Sequence, residues 1–129
     1  MNAKGVLETC IYARDLDAAE RFYRDVLGLK FHAREPGRHV FFRCGDAMFL
    51  IFNPEKTIQP GPMGNHGSSG PVHAAFRMET NEVEAWRSHL AVNKVAIEQD
   101  HHWPNGARSL YFRDPAGNSI ELATSDTWA

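Results

Sequence analysis

Three residues whose side chains can bind a divalent metal ion stand at related positions in the sequence. Glu8 and His73 each lie in a strand-like segment, seven residues before the start of a helical pattern. The third, Glu121, alternates with Ile120 and Leu122, so its carboxylate points away from the apolar side chains and needs water, a cation or a metal. One imidazole and two carboxylates suit a divalent metal, and this set predicts a metal site.

The elements that position Glu8 form a βαβββ pattern in the first half of the sequence. Residues 6–13 alternate like a strand, and Asp15 is a predicted N-cap for an amphipathic helix that ends at Gly28. Three antiparallel strands are then predicted at residues 29–34, 39–44 and 48–53, separated by Gly-containing turns.

The elements that position His73 and Glu121 repeat this pattern. A strand is predicted at residues 73–78, a helix is capped by Thr80 or Asn81 and stops at Asn93, and strands follow at 94–100, 108–112 and 119–123. Between the halves, residues 55–70 are rich in Pro, Gly, Ser and Asn. We therefore expect one domain over residues 1–129, with module one at 5–54, a connection at 55–70 and module two at 71–125.

The two halves also match in residue type. The segment FFRCG before MFLI parallels YFRD before SIEL, and both segments close their halves. An internal duplication is the simplest interpretation, and it makes Glu8 equivalent to His73 and Glu121 equivalent to about Leu50. The repeat would wrap two sheets around a common hollow that holds Glu8, His73 and Glu121.

Composition argues against several classes of partner. The chain has 14 basic and 16 acidic residues and a net charge of −2, and its basic residues are scattered, so we expect neither nucleic acid nor a membrane surface as a partner. No apolar run resembles a signal sequence or a membrane span, which predicts a cytoplasmic protein. Cys10 and Cys44 form no CxxC pair and are predicted to be free thiols.

Three segments carry a family resemblance, namely LETCIYARDLDAAERFYRDVLGL, PVHAAF and YFRDPAGNSIELA. They resemble the glyoxalase, bleomycin-resistance and extradiol-dioxygenase superfamily, also called the vicinal oxygen chelate superfamily. The resemblance implies an α+β fold of two tandem βαβββ modules that form an open eight-stranded cup with a divalent metal on its floor. Glu8 falls where many relatives have His or Gln, His73 on the usual His and Glu121 on the usual Glu. Leu50 falls at or near a further carboxylate of glyoxalase I-like members.

The resemblance implies a metal-dependent enzyme of the lyase or isomerase type, which chelates two vicinal oxygens of a small substrate and stabilises an enediolate. Glu8 or Glu121 would act as the base. The carboxylate-rich set favours Zn, Ni, Mn, Mg or Co, with Fe less favoured because extradiol dioxygenases use two histidines and one carboxylate. Three protein ligands leave coordination sites open for substrate.

Two other kinds of function stay open at this point. A metal-free protein that binds an antibiotic or another small molecule would need only an apolar, aromatic cleft, and a cationic drug would suit Glu8 and Glu121 without a metal. A dioxygenase or a fosfomycin-type thiol transferase is a further alternative, and the Ser-x-Tyr at residues 109–111 resembles the latter. Two features argue against the transferase. The first metal ligand of fosfomycin-type transferases is His, where this chain has Glu8, and residues 124–129 contain no basic residue that could bind a phosphonate.

Further residues are candidates for contact with substrate. Ser109 and Tyr111 share a strand face, which brings their hydroxyls within reach of a metal-bound substrate, although a Tyr with its ring in the core is the ordinary alternative. The predicted substrate-binding set is Arg108, Ser109, Tyr111, Trp103 and His39, and the loop histidines His66, His101 and His102 are weaker candidates. The resemblance also implies a homodimer whose sites are shared between the two chains.

Overall fold

The structure is a computed structural model that describes residues 1–129, and it shows an α+β fold of two tandem modules. Each module contains one four-stranded mixed sheet. The chain divides into two compact units, Met1–Gly70 and Pro71–Ala129. The predicted fold class and its two tandem βαβββ modules are confirmed. No helix has the length and apolar character that a membrane span requires.

The first unit has its strands in the order β1-β4-β3-β2, with β1 parallel to β4 and the other pairs antiparallel. Its elements are β1 (Glu8–Tyr12), α1 (Leu16–Arg21) continued by a π-helical turn (Phe22–Val26), β2 (Lys30–Glu35), β3 (His39–Cys44), β4 (Ala47–Phe52) and the short α2 (Pro54–Thr57).

Local signals fix the ends of α1. The Asp15 carboxylate accepts a hydrogen bond from the Ala18 N–H at 3.0 Å, which caps the helix as predicted. After the π-helical turn, Gly28 has φ +68°, a backbone conformation that favours glycine, and the chain turns into β2. The predicted start and end of this helical segment are therefore confirmed.

The helical segment packs on one face of the first sheet. Tyr23 is fully buried, and its ring lies 6.3 Å from Phe42 and 5.0 Å from Phe49, measured between ring centroids. Burying each such side chain contributes about 1.5–3 kcal/mol. Because side chains alternate along a strand, β3 buries Val40 and Phe42 here and presents His39 and Phe41 on the other face.

The second unit repeats the same order, β5-β8-β7-β6, with β5 parallel to β8. Its elements are β5 (His73–Met78), a 3-10 turn (Thr80–Glu82), α3 (Val83–Val92), β6 (Gln99–His102), β7 (Arg108–Arg113) and β8 (Ser119–Thr124). The predicted hairpin between β7 and β8 is confirmed. The Asp114 carboxylate accepts hydrogen bonds from the N–H groups of Ala116 and Asn118, and Gly117 has φ +86°.

Three details of the structure differ from the prediction. The strand predicted at 94–100 begins only at Gln99, because Lys94 has φ +60° and the Val95 N–H donates to the Leu90 carbonyl in the C-terminal cap of α3. The short helix α2 was not predicted; the Asn53 side chain caps it by accepting from the Glu55 N–H. The helical segment of the second unit is capped by Glu79, one residue before the predicted Thr80. Cys10 and Cys44 form no disulfide, as predicted.

Candidate functional site

The second unit places its polar candidates on one face of its sheet. Leu110, Phe112, Ile120 and Leu122 are at most 1% exposed and form the opposite, apolar face. Because side chains alternate along a strand, the residues between these apolar ones lie on the other, polar face. The strand register brings them together, since Glu121 pairs with Tyr111 on one side and with Ala75 on the other. This face carries His73, Ser109, Tyr111 and Glu121.

His73 and Glu121 form the closest contact of this set. The Nε2 atom of His73 lies 3.3 Å from the Oε2 atom of Glu121. Its Nδ1 atom lies 3.0 Å from the Ser119 carbonyl oxygen. Because a carbonyl only accepts, Nδ1 carries the proton, and a neutral ring then turns the lone pair of Nε2 toward the carboxylate. Two acceptors at this distance require either a proton or a cation between them.

The geometry of this pair fits two ligands of one metal ion. With metal–ligand bonds of about 2.0–2.1 Å, neighbouring ligands of a tetrahedral ion lie about 3.3–3.4 Å apart. The observed separation is 3.3 Å. A backbone carbonyl on the far ring nitrogen is also the usual arrangement that orients a metal-binding histidine. The His73 side chain is 50% exposed, which leaves it accessible, whereas that of Glu121 is 10% exposed.

Two further side chains hold the Glu121 carboxylate in place. The Ser109 hydroxyl donates to Glu121 Oε1 at 2.6 Å, and the Trp103 Nε1–H donates to the Ser109 oxygen at 2.9 Å. Ser109 is fully buried, so its single proton is committed to the carboxylate. Ser109 and Trp103 therefore orient Glu121, a role that the sequence analysis did not assign, and their predicted contact with substrate stays a prediction.

Tyr111 lies beside this pair as a hydrogen-bond donor. Burial raises the pKa of its phenol, and the Glu121 negative charge and a hydrogen bond to Glu121 raise it further, against a smaller lowering by Ser109. The phenol is therefore protonated at neutral pH. Its ring lies roughly parallel to that of His73, with 6.4 Å between the centroids.

Arg108 lies on the other face of β7, where it pairs with Asp100 rather than with this polar group. Its Nη2 donates to Asp100 at 2.6 Å, and Arg87 of α3 also contacts that carboxylate. Burial alone would raise the pKa of Asp100, but the Arg108 hydrogen bond and the charges of Arg108 and Arg87 lower it overall. This placement gives Arg108 a structural role, and its contact with substrate stays a prediction.

Glu8 begins β1 in the first unit and is exposed. It shares a face with Cys10 and Tyr12, and its carboxylate forms no hydrogen bond or ion pair in the structure. Cys10 pairs with Leu50 of β4, whose segment AMFLIF contains no acid. The further carboxylate of glyoxalase I-like members is therefore absent from this strand. No group of three or more His, Cys, Asp or Glu side chains is arranged to hold a metal, and the three-ligand set stays a prediction.

His39 and His66 lie in the first unit, against a cavity of about 980 Å³. The Tyr12 hydroxyl lies 2.8 Å from His66 Nδ1, which ties the connection to β1. Burial, with a contribution from Cys10, raises the pKa of Tyr12 to about 12, so this hydroxyl keeps its proton at neutral pH. His101 belongs to the second unit, where its ring meets Trp103 edge-on at 4.3 Å.

Comparison with known sequences places this arrangement in a family. The sequence model of the Glyoxalase/Bleomycin resistance protein/Dioxygenase superfamily matches residues 5–122. The metallothiol transferase FosB of Staphylococcus saprophyticus is 32% identical over 111 residues, which cover 85% of this chain and 70% of the relative. The glutathione transferase FosA of Serratia marcescens is 30% identical over 108 residues, 84% of this chain and 72% of the relative.

Solved structures agree with these sequence relatives. The crystal structure of lactoylglutathione lyase from Agrobacterium tumefaciens is 41% identical, covers 99% of this chain and 98% of its own, and superposes with a TM-score of 0.96. The fosfomycin resistance protein FosX from Mesorhizobium loti has a TM-score of 0.69 at 20% identity, covering 96% of this chain and 94% of its own, and shares the fold.

Proposed function

The chain belongs to the Glyoxalase/Bleomycin resistance protein/Dioxygenase superfamily, and we propose from this premise that it is a divalent-metal-dependent enzyme of the lyase or isomerase type. Its substrate would be a small molecule with two neighbouring oxygens. The observation that carries the proposal is the 3.3 Å contact between His73 Nε2 and Glu121 Oε2, which has the spacing of two ligands on one ion.

Each proposed ligand has a distinct part. His73 would bind through Nε2, since its other nitrogen is held by the Ser119 carbonyl, and Glu121 through Oε2, since its other oxygen is held by Ser109. Glu8 would supply the third ligand. When bound, a divalent ion would polarise the two substrate oxygens and stabilise the negative charge that develops on them. Zn, Ni, Mn, Mg and Co are the candidate ions.

Of the two carboxylates, Glu8 is the better candidate for the base. Both oxygens of Glu121 have a role already, since Oε1 accepts from Ser109 and Oε2, beside His73, is the proposed metal ligand. The Glu8 carboxylate is exposed and has no hydrogen-bond partner, so once substrate displaced it from the ion it would be free to take a proton and return it. Tyr111, protonated at neutral pH, would donate a hydrogen bond to a substrate oxygen.

The reaction class rests on the relatives. A protein that is 41% identical over nearly the whole chain is a lactoylglutathione lyase, which favours isomerisation of a thiol adduct. Thiol transfer is the second candidate, because curated relatives at 27–32% identity are metallothiol transferases and this chain has Ser109 and Tyr111 at the Ser-x-Tyr spacing.

One experiment tests the proposal and separates these reactions. Metal-stripped protein is supplied with each candidate ion and assayed for lactoylglutathione formation from methylglyoxal and glutathione, and for addition of glutathione to fosfomycin. We expect activity that depends on added metal and that His73→Ala abolishes. His32→Ala removes an exposed histidine of β2 and serves as the control with unchanged activity. Equal turnover by wild type, chelator-treated protein and His73→Ala would contradict a metal-dependent reaction.

A homodimer with shared sites is part of the same proposal. Each site would then take Glu8 from one chain and the pair of His73 and Glu121 from its partner. Mixing two inactive variants tests this arrangement, as described in the Discussion.

A further inference from the structure

The cavity of about 980 Å³ in the first unit has an uneven distribution of polar groups. Residues of β2, β3, α2 and the connection line it, and Glu8 lies at its wall. Its charged or ionisable lining residues are Glu8, Arg34, Glu35, Arg38, His39, Lys56 and His66. Which of these groups are free to meet a ligand follows from their other contacts.

Arg38 is held in place and still has free donors. One terminal nitrogen contacts His39 Nδ1 at 2.7 Å, and the guanidinium lies 5.5 Å from the centroid of the Phe52 ring. The Glu35 carboxylate lies 3.7 Å from Nε, and its side chain is 58% exposed. A guanidinium has five N–H donors, so this arrangement fixes its plane without using most of them.

The contact with Arg38 determines where the His39 proton lies. Because a guanidinium only donates, Nδ1 of His39 accepts, and the ring of a neutral His39 carries its proton on Nε2. Burial lowers the pKa of His39, as does the Arg38 charge, against a smaller effect of Glu35, which keeps the ring neutral at neutral pH. The ring stacks on Phe41 at 3.9 Å, so the Nε2–H donor has a fixed direction and no acceptor in the structure.

The other charged residues of the lining are the cations Arg34 and Lys56 and the carboxylates Glu8 and Glu35. Arg34 is already neutralised by Asp17 at 2.6 Å and Glu20 at 3.1 Å. Lys56 forms no ion pair. Arg38 has only the 3.7 Å ion-pair contact with the exposed Glu35, so Arg38 and Lys56 are the cations that can meet a ligand, with the His39 N–H beside Arg38.

From this arrangement, we propose that the cavity is a binding site for a small-molecule carboxylate, with the Arg38 guanidinium and the His39 Nε2–H as its receptor. A guanidinium forms two parallel, charge-assisted hydrogen bonds with a carboxylate, which a neutral amide cannot match. The carboxylates of Glu8 and Glu35 in the lining disfavour the higher negative charge of phosphate. The two receptor groups are not proposed metal ligands, so succinate binding would need no metal, although Glu8, the proposed third ligand, lines the same cavity.

The test is a titration of metal-free full-length protein, dialysed free of chelator, followed by backbone amide NMR shifts. Succinate is the probe, succinamide is its neutral counterpart, and inorganic phosphate is the tetrahedral anion. We expect succinate to shift the amides of residues 38–39 and 56–66 in a saturable way, and to bind at least about tenfold more tightly than succinamide, as the loss of a charged hydrogen bond predicts.

Variants distinguish a specific binding site at Arg38 and His39 from general electrostatic attraction. Arg38→Gln should weaken succinate binding at least about tenfold. Arg43→Gln removes the same charge from an exposed position on β3, the strand that follows Arg38, outside the cavity, and should leave affinity within about twofold. His39→Phe keeps the ring that stacks on Phe41 and removes the donor, so it tests the site if Arg38→Gln does not fold.

Three results would overturn the proposal: equal binding of succinamide, tighter binding of phosphate, or unchanged affinity in both Arg38→Gln and His39→Phe. His73→Ala should bind succinate like wild type. Succinate binding is therefore tested independently of the proposed metal-dependent activity, which is measured by metal content and turnover.

Discussion

Removing the Ser109 hydroxyl tests whether Glu121 is held in position by its neighbours. In Ser109→Ala, the Glu121 carboxylate loses a hydrogen bond of 2.6 Å, and the Trp103 N–H loses its acceptor. Glu121 and Ser109 are both buried, so water replaces the lost hydroxyl poorly.

The expected cost follows from these contacts. A hydrogen bond to a charged group contributes about 1.5–3 kcal/mol, and the Trp103 N–H, which is partly exposed, adds less because water can reach it. We therefore expect the free energy of unfolding to fall by about 2–3 kcal/mol. For a chain of this length, each kcal/mol lowers Tm by about 4 °C, which gives a decrease of about 8–12 °C.

The assay is urea unfolding of metal-free protein at neutral pH, followed by circular dichroism. Ser119→Ala is the matched control, because Ser119 lies on the adjacent strand and same sheet face and its hydroxyl forms no hydrogen bond. We expect this control to change stability by less than about 0.5 kcal/mol. If Ser109→Ala were as stable as Ser119→Ala, the proposed support of Glu121 would be refuted.

Three further predictions concern Glu8, the dimer and His39. Glu8→Gln should abolish turnover but change the free energy of unfolding by less than about 0.5 kcal/mol, because the carboxylate is exposed and has no partner; normal turnover would exclude Glu8 as the base. A refolded equimolar mixture of Glu8→Ala and His73→Ala should regain about one quarter of wild-type activity, since half of the dimers would contain one intact site; no recovery would contradict shared sites. NMR titration should give His39 a pKa below its usual 6.5, because of burial and the Arg38 charge. The unfolded chain then binds the proton first, so this contribution to stability is complete above pH 6.5 and is lost as pH falls below it. A measured pKa at or above 6.5 would contradict this environment.

Much of the fold follows from local sequence signals. The alternation of Ile120, Glu121 and Leu122 predicts which face each side chain of β8 occupies, and the turn before it follows from Asp114 and Gly117. In the first unit, Asp15 and Gly28 mark the two ends of the helical segment. These signals are readable because each depends only on the residue and its close neighbours along the chain.

The parts that sequence does not predict depend on cross-strand register and on backbone conformation. The bond from Ser109 to Glu121 joins residues twelve positions apart, and it requires Tyr111 to pair with Glu121 so that Ser109 lies diagonally across. The left-handed conformation of Lys94 delays β6, although lysine carries no signal for it. The contact of Arg38 with His39 depends on the orientations of two side chains where the turn meets β3.

The most direct test of the central claim is the metal content of protein purified without an affinity tag, measured by mass spectrometry. Wild type, His73→Ala and Glu121→Ala are compared, with His32→Ala as the control. We predict that wild type and the control carry close to one divalent ion per chain and that both site variants lose it. Wild-type protein that holds no metal and takes up none when it is supplied would contradict the account, and the protein would then be studied as a metal-free small-molecule binder.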